Sequence, residues 1–214
     1  MDFLDKDISK YVEEHTQEES QLLKDLNRET NTKIIMPRMI SGHLQGRVLS
    51  MLSHMIKPFR ILEIGTYTGY SALCLAEGMK AGGKIVTIDI NEELEDFVKK
   101  YISSSEFASQ IEFRIGNAVD IIPNLEDNFD MVFIDADKLN YPKYFELTIN
   151  KIKSGGFIIA DNVLWSGKVL EKNRKKLDQD TEAIISFNKM VHDDPRVENV
   201  LFPIRDGLMV LRKL

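Results

Sequence analysis

The sequence has few of the features that mark several common classes of protein. It contains one cysteine, Cys74, in 214 residues, so no disulfide can form within the chain. Its N-terminus is charged throughout, unlike a signal peptide, and no apolar run approaches the roughly 18 residues of a membrane-spanning helix. The net charge of −6 gives no overall basic field that would attract nucleic acid or anionic membranes. We therefore expect a cytoplasmic protein that does not bind membranes.

Two kinds of ligand site are also missing from the sequence. There is no cluster of histidine and cysteine with the spacing of a zinc site. The glycine pattern GxGxxG of dinucleotide-binding proteins is absent, because Tyr67 stands where its second glycine would be. Cys74 lies in an apolar segment without a charged neighbour, which predicts a buried and unreactive thiol.

The chain contains a regular alternation of apolar strands and helices. Two short helices are predicted within residues 1–32 and a third from Gly42 to Met55. Five strand–helix units follow, with strands at 60–65, 84–90, 111–118, 129–137 and 155–162, and the last residues form two strands joined by a tight turn. This pattern predicts a parallel sheet with helices on both faces. We expect one domain over 1–214, made of a helical extension (1–57) and a core (58–214).

Ligands of parallel sheets bind beyond the carboxyl ends of the strands, and the first two strand ends carry a candidate site. In LEIGTYTGYS (62–71), Gly65 and Gly69 allow a tight turn against a ligand. Glu63 would repel phosphates, so the turn suits a neutral or cationic ligand. Asp89 ends the second strand, where an acid can accept hydrogen bonds from ribose hydroxyls. Alternatively, the glycines serve the turn alone, and Asp89 is an ordinary strand end before an N-cap at Asn91.

Three oxygen donors follow two later strands: Asp135, Asp161 and Asn162. Oxygen ligands suit a hard cation such as Mg²⁺, Mn²⁺ or Ca²⁺, and three protein ligands leave room for water or substrate. The alternative is that Asp161 and Asn162 cap a helix and that Asp135 pairs with Lys138. Beside a divalent cation an ammonium is disfavoured, which makes Lys138 a candidate general base rather than a solvated loop lysine. Tyr141 is expected only to pack at the start of its helix.

Five motifs together resemble one family. LEIGTYTGYS, VTIDI, GNA, FIDADKLNY and IIADNVLW match, in order and spacing, the metal-dependent class I O-methyltransferases. That family includes catechol and caffeoyl-CoA O-methyltransferases and bacterial enzymes that methylate 5-hydroxyuridine in tRNA. The resemblance runs from about Met36 to the C-terminus. It implies a Rossmann-like fold whose seven-stranded, mostly parallel sheet has the order 3-2-1-4-5-7-6 with strand 7 antiparallel, helices on both faces and an N-terminal helical extension.

The resemblance also implies roles for individual residues. Asp135, Asp161 and Asn162 match the metal ligands, with Mg²⁺, Mn²⁺ or Ca²⁺ as the metal. Lys138 matches the proposed base, and Lys138, Asp135 and Asn162 are expected to carry catalysis. The positions that match the S-adenosylmethionine site are Met39, Ser41, Glu63, Gly65, Tyr67, Ser71, Asp89, Ala118 and Asp135.

The expected reaction is methyl transfer to a metal-chelated hydroxyl of a catechol-like or other small phenolic acceptor. Such a hydroxyl has a pKa of about 10 and needs activation near neutral pH. Trp165 is either a wall for a planar acceptor or a packing residue, and Arg205, in the predicted hairpin turn, is a further candidate to face the acceptor. The alternatives are hydroxyuridine in tRNA, a caffeoyl-CoA-type ester and, from another class, an NAD-binding oxidoreductase. The resemblance also favours a homodimer.

A lysine-rich segment, SGKVLEKNRKKLDQD (166–180), follows the predicted metal ligands. Its basic residues are candidate contacts for a polyanion such as tRNA or the phosphates of coenzyme A: Lys168, Lys172, Arg174, Lys175 and Lys176. Because Glu171, Asp178 and Asp180 dilute this charge, we expect a solvated loop instead. Asp137, within FIDADKLNY, has no assigned role.

Overall fold

A computed structural model describes residues 5–126, 128–170 and 178–214. Seven strands in these residues form one sheet in the order β3-β2-β1-β4-β5-β7-β6, with β7 antiparallel to both of its neighbours. Both the order and the direction of β7 are as predicted, so the Rossmann-like fold class is confirmed. The strands are β1 (Arg60–Ile64), β2 (Lys84–Asp89), β3 (Ile111–Ile115), β4 (Phe129–Ile134), β5 (Ile152–Ala160), β6 (Val197–Phe202) and β7 (Leu208–Lys213).

Helices precede the sheet and alternate with its first strands. Those in the described ranges are α1 (Lys6–Glu14), α2 (Gln21–Lys33), α3 (Gly42–Ile56), α4 (Tyr70–Ala76), α5 (Glu95–Ser103), α6 (Ala118–Ile121), α7 (Tyr141–Ile149) and α8 (Gln179–Asp193). Short 3₁₀ helices extend this set at Pro37–Met39 and Lys138–Asn140. No helix in the part of the chain that the structure describes is long and apolar enough to cross a membrane.

The chain divides into two compact units, of which the first ends at Ala118 and the second runs from Val119 to Leu214. The predicted single domain, with its extension over 1–57 and its core over 58–214, stays a prediction. In the first unit, β1 pairs in parallel with β2, and β2 with β3. Four consecutive residues of β1, Ile61 to Ile64, are buried, as expected for a parallel strand with both faces covered.

Two strands, β3 and β4, end three residues earlier than predicted, and both end where a polar motif begins. β3 stops at Ile115, because Gly116 has φ of 144°, a backbone conformation that few other residues adopt. β4 stops at Ile134, so Asp135 and Asp137 lie beyond the sheet rather than in it. The side chains at these positions are therefore free of the alternation that a strand imposes.

In the second unit, β4 and β5 are parallel, whereas β6 and β7 form the predicted terminal hairpin. The hairpin turn is hydrogen bonded to the segment that follows β5. The amides of Val163 and Leu164 donate to the carbonyl oxygens of Gly207 (3.2 Å) and Asp206 (2.8 Å). Gly207 has φ of 91°, and a Cβ built there would lie 3.0 Å from Leu164 N and 2.5 Å from Leu164 Cγ. The turn can approach this closely only with a glycine.

We expect Gly207→Ala to lower the free energy of unfolding by about 2–5 kcal/mol, because it adds a clash with Leu164 to the cost of a left-handed alanine. Gly155→Ala is the matched control. Gly155 also has positive φ (78°), but nothing lies within 4 Å of its Cβ position. Its loss should be about 1–2 kcal/mol. Urea unfolding of both variants measures the difference, and equal losses would show that the contact with Leu164 does not constrain the turn.

Candidate functional site

The first candidate site lies in the first unit, at the ends of β1 and β2. We call Glu63, Gly65, Tyr67 and Asp89 the turn cluster. The Asp89 carboxylate accepts hydrogen bonds from two backbone amides, Tyr67 N at 2.6 Å and Asn91 N at 2.9 Å. These contacts fix the carboxylate beside the glycine turn. Asn91 also caps the following 3₁₀ helix through Glu93 N, so the N-cap expected in the alternative interpretation is present together with the cluster.

Three residues of the turn take left-handed backbone conformations: Gly65 (φ 101°), Tyr67 (φ 49°) and Gly69 (φ 86°). Tyr67 is the unusual one, because a side chain makes this conformation costly. The hydrogen bond that its backbone amide donates to the Asp89 carboxylate stabilises this conformation and directs the backbone of the turn toward the end of β2. Hydrogen bonds as well as glycines therefore fix the backbone conformation of the turn.

Glu63 is fully buried at the end of β1, and its Oε2 accepts a hydrogen bond from Thr87 Oγ1 at 2.5 Å. The Thr87 hydroxyl is also 2.6 Å from Thr66 Oγ1. A buried carboxylate favours positive charge or hydrogen-bond donors in its surroundings. A cationic or neutral ligand near Glu63, rather than a phosphate, stays a prediction.

The segment before α3 is attached to the turn cluster by Tyr67. The Tyr67 hydroxyl lies 3.3 Å from the Ile35 carbonyl oxygen and 3.2 Å from that of Met36. Met39 ends the 3₁₀ helix that follows and is 54% exposed, whereas Ser41 is buried at the start of α3. The structure therefore places Met39 and Ser41 on the segment that contacts the turn.

Two further predicted cofactor residues lie on helices that begin beside the strand ends. Ser71 is buried in the first turn of α4, two residues after Gly69. Ala118 is buried at the start of α6, two residues after Gly116, whose amide donates to the Asp89 carbonyl oxygen at 2.8 Å. The predicted cofactor residues of the first unit thus follow its strand ends or lie on the segment that Tyr67 holds.

The second candidate site lies in the second unit, at the ends of β4 and β5. We call Asp135, Lys138, Tyr141, Asp161 and Asn162 the lysine cluster. Lys138 Nζ is 3.2 Å from Asp135 Oδ1, 3.0 Å from Asn162 Oδ1 and 2.5 Å from the Tyr141 hydroxyl oxygen. The Lys138 side chain is only 9% exposed. It is therefore not the solvated loop lysine of the alternative interpretation, although the expected pair with Asp135 is present.

Two side-chain oxygens of the lysine cluster lie close to the same amine. Asp135 Oδ1 and Asn162 Oδ1 converge on one atom, Lys138 Nζ. Asp161 is 2% exposed, and its Oδ1 accepts a hydrogen bond from Asn162 N at 2.7 Å. The described residues contain no group of three or more His, Cys, Asp or Glu side chains that could together hold a metal ion. A metal here would need the Asn162 amide oxygen as its third ligand, which suits Mg²⁺, Mn²⁺ or Ca²⁺.

Tyr141 is a member of the site that the sequence did not reveal. It is fully buried, and its hydroxyl donates to the Asp161 carbonyl oxygen (2.9 Å), with the Ile134 carbonyl oxygen 3.3 Å away. Burial, followed by the charges of Asp135 and Asp161, raises the pKa of Tyr141 well above its usual value. The phenol therefore stays neutral near neutral pH. The available sequence signal was its spacing, because residues three apart eclipse in a 3₁₀ helix.

Trp165 lies beside the lysine cluster, and its role as a wall for a planar acceptor stays a prediction. Its ring centroid is 5.9 Å from Lys138 Nζ and 5.5 Å from Lys168 Nζ. The indole N–H is buried and has no hydrogen-bond partner among the described residues. Both Trp165 (φ 47°) and Ser166 (φ 52°) are left-handed, and Asp206 Oδ1 accepts a hydrogen bond from Ser166 N at 2.5 Å.

The remaining predicted residues have other surroundings. Arg205 is left-handed (φ 48°) in the β6–β7 turn. Lys168 pairs with Asp178 at 2.9 Å, as expected if acids dilute the charge of the segment. Asp137, which had no role, accepts hydrogen bonds from Tyr144 Oη (2.5 Å) and Asn140 Nδ2 (2.6 Å). The other basic residues proposed to contact a polyanion lie outside the described residues: Lys172, Arg174, Lys175 and Lys176.

Cys74 is buried in α4, as predicted. Burial raises the pKa of its thiol. A thiol that stays protonated is a poor nucleophile, since the thiolate is the reactive form. Cys74 therefore belongs to the packing between α3 and α4, where a Cβ on Gly46 would lie 2.9 Å from its Sγ, and not to either candidate site.

The sequence is similar to those of known enzymes. It is 37% identical over 186 residues to tricin synthase 2 of Oryza sativa subsp. japonica, an alignment that covers 82% of this chain and 64% of that protein. It is 35% identical over 206 residues to caffeoyl-CoA O-methyltransferase of Petroselinum crispum, which covers 92% of this chain and 85% of the relative. The chain thus spans slightly less than two thirds of the first of these relatives.

The fold is also similar to that of a solved O-methyltransferase. The O-methyltransferase of Bacillus cereus in complex with SAH superposes with a TM-score of 0.82 at 28% sequence identity, covering 97% of each chain. A family model described as O-methyltransferase matches residues 13–214. Because this match spans nearly the whole chain, and the motifs of both candidate sites lie inside it, the chain belongs to the O-methyltransferase family.

Proposed function

We propose that this enzyme transfers the methyl group of S-adenosylmethionine to a metal-chelated hydroxyl of a catechol-like or other small phenolic acceptor, with Lys138 as general base. One observation carries the proposal. A nearly buried lysine amine lies within hydrogen-bonding distance of both Asp135 and Asn162, the side chains that follow β4 and β5. A buried amine among oxygen ligands has the components of acid–base chemistry at a cation-bound hydroxyl.

S-adenosylmethionine is proposed to bind at the turn cluster. The Asp89 carboxylate, held by Tyr67 N and Asn91 N, is suited to the ribose hydroxyls, and Glu63 to the cationic part of the ligand. The solved Bacillus cereus enzyme supports this, because SAH is the product that S-adenosylmethionine leaves after losing its methyl group. The remaining proposed cofactor contacts are Met39, Ser41, Gly65, Tyr67, Ser71, Ala118 and Asp135.

Asp135, Asp161 and Asn162 are proposed to hold Mg²⁺, Mn²⁺ or Ca²⁺. When bound, such a cation favours the anionic form of a coordinated hydroxyl and orients the acceptor. The chain's own residues do the rest. Lys138 Nζ takes the proton of the acceptor hydroxyl, and Trp165 excludes water from one side of a planar ring. The acceptor oxygen then forms a bond to the methyl carbon as the carbon–sulfur bond breaks, which leaves a neutral thioether.

The acceptor is proposed from the relatives and from Trp165. A caffeoyl group carries two adjacent phenolic hydroxyls, so the name of the Petroselinum crispum relative favours a catechol-type acceptor, either free or as a coenzyme A ester. Nothing in the described residues favours tRNA, which stays a prediction, as do the homodimer and the cytoplasmic location. Membership of the O-methyltransferase family leaves the oxidoreductase alternative without support.

Lys138→Met should reduce turnover by about 100-fold or more while leaving the dissociation constant of S-adenosylmethionine unchanged, because it removes the base but not the turn cluster. Methionine keeps much of the side-chain length of this buried residue. Lys143→Ala is the control, since Lys143 is an exposed lysine of α7. Turnover with labelled cofactor and calorimetric binding measure the two effects. Full activity of Lys138→Met would refute its role as base.

Asp161→Ala should abolish turnover, and a chelator should do the same to the unmodified enzyme until Mg²⁺ is restored, because both remove the cation that activates the hydroxyl. The binding of Mg²⁺ to each protein is measured separately by calorimetry. Activity of Asp161→Ala that persists in the chelator would refute the metal site but not methyl transfer itself.

Transfer of labelled methyl groups should be faster to a small catechol than to bulk tRNA that lacks the modification, because the aromatic Trp165 lies beside the lysine cluster. Lys168, the one basic residue of the 166–180 segment that the structure describes, is paired with Asp178. Caffeoyl-CoA is compared in the same assay. Transfer to tRNA alone would replace the phenolic acceptor with a nucleoside.

A further inference from the structure

The Tyr141 hydroxyl has the shortest contact to the Lys138 amine in the lysine cluster, at 2.5 Å. Its own proton has other acceptors, the Asp161 carbonyl oxygen at 2.9 Å and the Ile134 carbonyl oxygen at 3.3 Å. The hydroxyl oxygen therefore offers its lone pairs to Lys138 Nζ. Since Tyr141 is fully buried, no water competes for these positions.

Lysine needs such a partner because its side chain is long and flexible, and a base must stay within reach of the proton that it takes. Two of the three oxygens near Lys138 Nζ belong to Asp135 and Asn162, which are also proposed cation ligands. An oxygen that binds a cation has less electron density to offer an amine. The Tyr141 hydroxyl is not a proposed cation ligand, so its lone pairs stay available to the Lys138 amine.

We propose that Tyr141 is a positioning residue whose hydroxyl keeps the Lys138 amine in place for proton transfer; this rests on the function proposed for Lys138. The local chain geometry favours it. Lys138 begins a 3₁₀ helix and Tyr141 begins α7, so their side chains lie on the same side of the chain, with Nζ 4.5 Å from the centre of the tyrosine ring.

Packing alone would not require the hydroxyl. The Tyr141 ring meets Phe187 edge to face, with 5.4 Å between centroids, and a phenylalanine would keep that contact. The hydroxyl adds only the bonds to Lys138 and to backbone carbonyl oxygens. Tyr141→Phe thus separates the positioning role from the packing role.

Tyr144→Phe is the matched control. Tyr144 lies three residues further along α7 and is buried. Its hydroxyl donates a hydrogen bond to Asp137 Oδ1 at 2.5 Å. It has no contact with Lys138 among those described. Both variants lose one buried hydroxyl from the same helix, so losses of thermal stability should be similar, whereas effects on catalysis should differ.

With catechol, Mg²⁺ and S-adenosylmethionine, Tyr141→Phe should lower kcat about 10- to 100-fold, as expected when a base is displaced by about 1 Å, and leave the KM for S-adenosylmethionine within about twofold. Tyr144→Phe should keep kcat within about twofold. In the Lys138→Met background, Tyr141→Phe should change the residual rate by less than about twofold, because the group that it positions is gone. Equal kcat values for Tyr141→Phe and the unmodified enzyme would overturn the inference.

A crystal structure of Tyr141→Phe gives a readout that does not depend on turnover. The Lys138 amine should leave its position or become disordered, and an unmoved amine would overturn the inference even if catechol is not the acceptor. The two proposals fail separately. A fully active Lys138→Met refutes the base itself, whereas an inactive Lys138→Met with an unchanged Tyr141→Phe refutes only the positioning role.

Discussion

The buried amine of Lys138 is the constraint on which the second unit depends. An amine that is largely removed from water is costly unless several polar atoms compensate for it. Here the compensation comes from Asp135 after β4, Asn162 after β5 and Tyr141 at the start of α7. If any of these side chains moved, the buried amine would lose a hydrogen bond. The same requirement that fixes two strand ends and a helix start therefore assembles a chemical site.

The turn cluster follows a different physical rule, since hydrogen bonds to the backbone organise it. Asp89 accepts two amides, and one of them belongs to Tyr67, which the bond helps to hold in a left-handed conformation. The Tyr67 hydroxyl in turn contacts the carbonyl oxygens of Ile35 and Met36. One tyrosine thus links the end of β2, the glycine turn and the segment that carries Met39. Strain at a single residue, compensated on both sides, is typical of ligand-binding turns.

The sequence predicted most of the fold because its signals were local and repeated. Apolar strands alternate with amphipathic helices, and the turn at Arg205, Asp206 and Gly207 marks the terminal hairpin. The predicted ends of β3 and β4 were wrong. The strand pattern of the sequence continues to Ala118 and Asp137, but the strands themselves end before Gly116 and Asp135. Lys138 and Asp135 were recognised as a pair because they are near in sequence. The sequence predicts only packing for Tyr141. Its ring packs against Phe187, and only its hydroxyl belongs to the site.

The sequence by itself determined the alternation that produces the sheet, the residues at each strand end and the family to which they belong. These depend on composition and spacing along the chain. Only the tertiary structure decided that Lys138 is enclosed, that Asn162 lies 3.0 Å from its amine, and that Asp206 and Gly207 hold the segment after Asn162. Burial and contacts between residues far apart in sequence depend on how strands are ordered in the sheet, and spacing along a single chain does not encode those distances.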